Sequence, residues 1–177
     1  MTRSILILAS VVVLLGGCAS TVKKSDESAP VPVGVKATGK AVVLNMTGST
    51  VATTAKDWAD FKGVWREKCA EEFATAGALF SMQEGEPRPT GAAGTLVVVN
   101  VADYRYISAG ARIMFGVMTG NAYINVQVAF RDLNTGEVRS TKAYDTSSTA
   151  WQGIFSGMTT KQVTAMCHEI VGEVARY

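Results

Sequence analysis

The chain has 177 residues, 47% of them hydrophobic and 18% charged, with 17 basic residues against 15 acidic ones and a formal net charge of +2. That balance suits one ordinary globular core and excludes a low-complexity or charge-extended chain. It also argues against a nucleic-acid partner, which needs a clustered positive face to displace counterions from phosphates, whereas the basic residues are dispersed apart from the Lys23-Lys24 pair.

Residues 5–15 form an apolar run of about 11 positions, too short for the roughly 20 that a bilayer-crossing helix requires. Arg3 precedes the run and small residues follow it, the layout of an export signal. Leu15-Gly16-Gly17-Cys18 resembles the bacterial lipobox, in which a signal peptidase cuts before a cysteine whose thiol carries diacylglycerol. Cys18 is therefore the expected lipidation site, and two or three acyl chains suffice for stable anchoring because each buried methylene adds about 0.8 kcal/mol. Ala19 stands where an aspartate would retain a Gram-negative lipoprotein in the inner membrane, so the resemblance implies an outer-membrane protein facing the periplasm. The expected organisation is a lipoprotein signal peptide over 1–17, an acylated cysteine with a flexible tether over 18–39, and a single α+β domain over 40–177.

The tether, ASTVKKSDESAPVPVGVKATGK to Lys40, lacks helical or alternating periodicity and cannot bury enough surface to order itself. About 20 such residues have a root-mean-square reach of roughly 25 Å, enough to hold a domain clear of the headgroups. Residues 34–40 nearly match a phosphate-binding loop, but Ala41 occupies the magnesium-binding hydroxyl position and no strand precedes the motif, so nucleotide binding is not expected.

Residues 40–47 read as a short strand, and Thr53 or Thr54 is suited to cap the helix that follows. In that helix Trp58, Phe61, Trp65, Cys69, Phe73 and Ala76 recur at three and four residues, and Gly77 ends it. ALFSMQ predicts a brief strand and EGEPRPTGAAG a loop. The runs TLVVVNVADYRY and AYINVQVAF are β-rich, the second alternating strictly, with one face buried and the other wet. DLNTGEV is a tight hairpin connection in which Asn134 and Gly136 tolerate positive φ, and EVRSTKAYDT returns as a more polar strand at an edge. In the last segment Val163, Met166, Cys167, Ile170, Val174 and Tyr177 line one face of a helix. The expected fold is α+β, a mainly antiparallel sheet of about four or five strands with two helices packed on one face.

This strand order places two long connections, 107–120 and 147–158, at one end of the sheet. Both are unusually apolar for loops: Ile113, Met114, Phe115, Val117 and Met118 lie in the first, Trp151, Ile154 and Phe155 in the second. Such residues either fold inward as core or form a partner-binding rim. A parallel crossover between 40–47 and 94–106 would bring the tether in at the opposite end, beside the 132–136 turn, and point the rim away from the anchor.

Beyond Cys18, the pair Cys69 and Cys167 lies on two apolar helix stripes, and outside the cytoplasm either a bridge or two buried thiols is open to it. Catalysis has little support. The one histidine, His168, has no ligand-type residue a helical turn away, and no Gly-x-Ser-x-Gly elbow occurs, so no catalytic residue, metal or cofactor is expected. Asp103, Asp132 and Asp145 read as strand-end residues serving turns, with a working carboxylate pair as the alternative.

The lipobox, the tether, the strand-helix unit, GTLVVVNVADYRY, and GNAYINVQVAFRDLNTGEV before a final helix together resemble a family of small Gram-negative lipoproteins known as domain of unknown function 4410. The likeness runs over about 40–177 and implies no activity. The expected function is that of a non-enzymatic outer-membrane lipoprotein binding a periplasmic or envelope protein. An envelope hydrolase acting on wall or polysaccharide, and a purely structural surface lipoprotein, are the alternatives.

Overall fold

The structure is a computed structural model that describes residues 22–24, 34–107, 121–147 and 158–177. Among these, six strands make one mixed sheet and three helices accompany it: β1 (Val22–Lys24), β2 (Ala41–Gly48), α1 (Thr50–Thr53), α2 (Trp58–Thr75), β3 (Leu79–Gln83), β4 (Thr95–Arg105), β5 (Tyr123–Asp132), β6 (Val138–Ser147) and α3 (Met158–Val174). The spatial order is β1-β6-β5-β4-β2-β3. The class is α+β as expected, but the sheet has six strands and is less uniformly antiparallel: β2 pairs in parallel with both β3 and β4, and the remaining pairings are antiparallel.

The main core lies between the sheet and the two long helices. From α2, Phe61, Trp65, Cys69 and Phe73 are buried, the stripe that the three-and-four spacing dictates. They meet Leu44 of β2, Val97, Val99 and Val101 of β4, and the inward set Ile124, Val126, Val128 and Phe130 of β5. On α3 the inward residues are Val163, Met166, Cys167, Ile170 and Val174, all fully buried. Tyr177 lies beyond the helix and is 40% exposed, its ring beside Phe130. A smaller cluster of Leu96, Val98 and Leu133 covers the lower half of the sheet's other face. Hence β4 is buried on both sides at its start and reads as a continuous apolar run, while β5 alternates.

Local chemistry fixes the element ends. Ser49 caps α1, its Oγ accepting from the Ala52 amide at 3.1 Å. Thr53 and Thr54 end that short helix and do not cap α2, whose N-cap is Asp57. At the other end of α2 the Ala78 amide donates to the Phe73 carbonyl and the Gly77 amide to that of Ala74, with Gly77 at φ 78°; a β-carbon is disfavoured in that left-handed conformation. In the 132–136 turn only Gly136 has positive φ. Asn134 stays at negative φ because Asp132 Oδ1 takes both the Asn134 and Thr135 amides, at 2.8 and 2.9 Å. Lys40 Nζ donates to the carbonyls of Val174 and Ala175 at the end of α3, where a cation offsets the helix dipole.

Two expectations about the tether are corrected. It is not unstructured throughout, since Val22, Lys23 and Lys24 pair with Thr146, Asp145 and Tyr144. Nor does it approach only beside the 132–136 turn. β2 does start there, because Val42 pairs with Thr95 and Thr95 with Asp132, yet Val22 sits near the opposite end of the sheet, level with Thr146, Ile124 and Tyr104. Ile107 and Asn121, and Ser147 and Met158, which flank the two apolar connections, are at this same end. Cys18 itself, and the rim residues Ile113, Met114, Phe115, Val117, Met118, Trp151, Ile154 and Phe155, lie outside the described residues.

Candidate functional site

The helices α2 and α3 run side by side in the same direction, down from the end of the sheet where β4 stops. Their stripes face the sheet and also meet each other, and Cys69 and Cys167 join there in a disulfide with Cα atoms 5.0 Å apart. Both cysteines are fully buried. Above this bridge an open groove of about 560 Å³ is bounded by Lys68, Glu71 and Glu72 of α2, by Thr160, Lys161, Thr164, Ala165, His168 and Glu169 of α3, and by Val22 of β1. Its volume lies within the range of ligand-sized clefts, roughly 300–1,000 Å³.

Several polar residues of the groove are engaged, with one another or with residues beside it. His168 Nδ1 is 3.2 Å from Glu72 Oε2. Glu169 pairs with Lys24, which ties β1 to α3. Lys68 lies 2.8 Å from Glu67 and 3.0 Å from Glu71, and these carboxylates, Glu67 foremost, hold its ammonium pKa above the ordinary lysine value. The Thr164 hydroxyl donates to the Thr160 carbonyl at 3.0 Å. It is thus spent on the helix backbone and is not poised on His168 as a nucleophile would be. Opposite charges alternate across a short distance here, so the groove carries both signs of charge.

The remaining sequence candidates do not assemble. Asp103 pairs in register with Asn125 and Asn125 with Asp145 on the exposed face, so two strand spacings, roughly 9.5 Å, separate the two carboxylate-bearing residues. Asp103 Oδ2 accepts from the Tyr123 hydroxyl at 3.0 Å. Asp132 is at the far end of the sheet, in the turn, bonded to Arg139. Among the described residues no group of three or more His, Cys, Asp or Glu side chains could hold a metal ion. One polar cluster escaped the sequence reading: Tyr104 donates to Asp57 Oδ1 at 2.6 Å and stacks on Phe61 with ring centroids 4.1 Å apart. Burial, and then this carboxylate, raise the Tyr104 phenol well above its ordinary pKa. It joins the start of α2 to β4 across 47 residues, and no local pattern in the sequence announces it.

No family model matches the chain, and no curated protein matches it significantly. Solved structures do. A protein from Xanthomonas campestris of the domain-of-unknown-function family 330 aligns over 88% of this chain and 91% of its own at 11% identity, with a TM-score of 0.51. The PelC dodecamer from Paraburkholderia phytofirmans gives 16% identity over 88% of this chain and 96% of that one, with a TM-score of 0.47. A Caulobacter crescentus protein described as a candidate lipoprotein gives 14% identity over 74% and 88%, with a TM-score of 0.38. The first of these likenesses shows a shared fold. At such identities none carries an activity across.

Proposed function

We propose that this chain is a non-enzymatic outer-membrane lipoprotein, acylated at Cys18 and facing the periplasm, whose single domain binds an envelope protein through the groove between α2 and α3. The resemblance to the family of domain of unknown function 4410, carried by the lipobox, the strand-helix unit and the 121–138 segment of the sequence, supports this reading. The observation that carries the binding role is the groove itself, a cleft braced by the Cys69–Cys167 bridge. Its ion pairs alternate in sign and the Thr164 hydroxyl donates to the helix backbone, so the groove offers charge complementarity. Among the described residues no helix is long and apolar enough to cross a membrane.

A photo-crosslinking amino acid at Ala165, within the groove, tests this in cells against the same probe at Thr135 in the distant turn. The expected result is a discrete adduct with an envelope protein from position 165 alone, reduced when Lys161→Glu reverses one charge of the groove. Equal labelling from the two positions, or hydrolysis of wall polymer that disappears in His168→Ala, overturns the proposal.

A further inference from the structure

Resting on the reading of Cys18 as the acylated residue, we infer that the domain is docked on the lipid surface by the end of the sheet that carries α1, the end of β4 and the start of β5, and is not held clear of it on a long leash. The length of chain before β1 decides this. Three residues lie between Cys18 and Val22, and the four steps of chain, at 3.3–3.6 Å each, span about 14 Å at most. An unstructured segment reaching to residue 40 would have left the domain free to turn in any direction. Instead Val22 is one row from the end of the sheet, opposite Thr146.

The leash cannot lengthen without loss of structure. β1 is held by its pairing along β6, by Val22 packing against the main core and by the ion pair between Lys24 and Glu169. From the Val22 row to the 132–136 turn the sheet extends nine residues along β4, about 30 Å. The turn therefore projects outward, while Val51, Arg105 and Tyr123 lie beside the headgroups. That end has the make-up of an interfacial surface. Val51 is 73% and Tyr123 37% exposed, Lys56 is exposed and Trp58 half-buried, and aromatic and basic side chains favour the headgroup layer. Of the carboxylates at the same end, Asp57 is engaged by Tyr104 and Asp103 by Tyr123, while Asp60 is exposed.

The test uses the mature protein extracted from membranes, its acylation read by mass, and reconstituted in nanodiscs of phosphatidylethanolamine and phosphatidylglycerol with a trace of gadolinium-chelate headgroup lipid. Paramagnetic relaxation of backbone amides should be roughly tenfold or more faster at Val51, Arg105 and Tyr123 than at Asn134 to Glu137, because it falls with the sixth power of a distance that differs by about 30 Å between the ends. Replacing Val22, Lys23 and Lys24 by proline, which cannot pair in the strand, should release the tie at this end of the sheet and abolish the contrast. A lipid on Cys18 with equal relaxation at the two ends, or a contrast unchanged in the proline variant, overturns the docking while leaving the anchor. A chain without the lipid overturns the anchor reading, and the docking with it.

Discussion

Reducing the Cys69–Cys167 bridge gives a sharp test of what holds the two helices together. The bridge spans 98 residues of sequence, so in the denatured chain it closes a loop that includes the end of α2, β3 to β6 and the first part of α3. In the chain-entropy treatment a loop of this length is worth about 4.7 kcal/mol at 25 °C. In the folded state little changes, because both cysteines are fully buried and a thiol fills apolar space much as the disulfide sulfur does. The loss should therefore appear almost undiminished in the unfolding free energy. For a domain of this size that corresponds to a fall in Tm of roughly 10–20 °C. Thermal unfolding by circular dichroism, with and without a phosphine reductant, measures it, and alkylation under denaturing conditions should find these two thiols only after reduction. A shift below about 3 °C, or two alkylated thiols in unreduced protein taken from the periplasm, would refute the reasoning.

Cys18→Ser should abolish incorporation of labelled palmitate and accumulate the uncleaved precursor, both visible on a gel, since only a thiol can accept the diacylglycerol. Asn45 is fully buried, and its Nδ2 donates to the Gln83 and Gly85 carbonyls at 3.1 and 2.9 Å; Asn45→Leu strips both acceptors of their donor and should cost about 1–3 kcal/mol in a urea titration, with faster amide exchange over residues 84–94. Asp132 has its pKa held below the ordinary value of 3.8, first by the Thr135 amide and then by Arg139. Since the folded value is the lower one, its stabilisation is fully present above about pH 4 and is lost as pH falls through the folded value. Asp132→Asn should flatten the stability profile below about pH 4, read from chemical denaturation at stepped pH.

The parts of the fold legible in the sequence are those in which a single element declares its own burial. The α2 spacing names Phe61, Trp65, Cys69 and Phe73, all buried, because four side chains on one helical stripe need no knowledge of their partner. The β5 alternation is legible for the same reason. β1 was illegible because nothing in Val-Lys-Lys favours a strand by itself. It forms only where the edge of β6 lies open and Glu169 stands ready to receive Lys24, both more than 100 residues away in sequence. The groove was hidden likewise: Glu72 and His168 are 96 residues apart, and only the side-by-side packing of two helices makes them neighbours.

The polar character of β6 combines both kinds of information. Its Arg, Ser, Thr and Lys suit an edge, and with three-residue β1 as its neighbour on one side it is nearly one. Short, lysine-bearing edge strands resist pairing with another chain, and Lys23 faces solvent on β1. The inward face of β6 is nonetheless buried. Lys142 lies 3.6 Å from Glu173 of α3, each side chain only 9% exposed, and the Tyr177 hydroxyl donates to the same Glu173 at 2.9 Å. Two buried opposite charges with further hydrogen-bond partners repay part of their desolvation through each other, so a strand whose composition speaks for the surface can still cover the end of a core. The three residues of β1 thus serve two purposes: they blunt the open edge of β6 and tie the end of that strand to α3. Under the proposed acylation of Cys18, a change that releases β1 should alter both the orientation of the domain at the membrane and the exposure of its sheet edge.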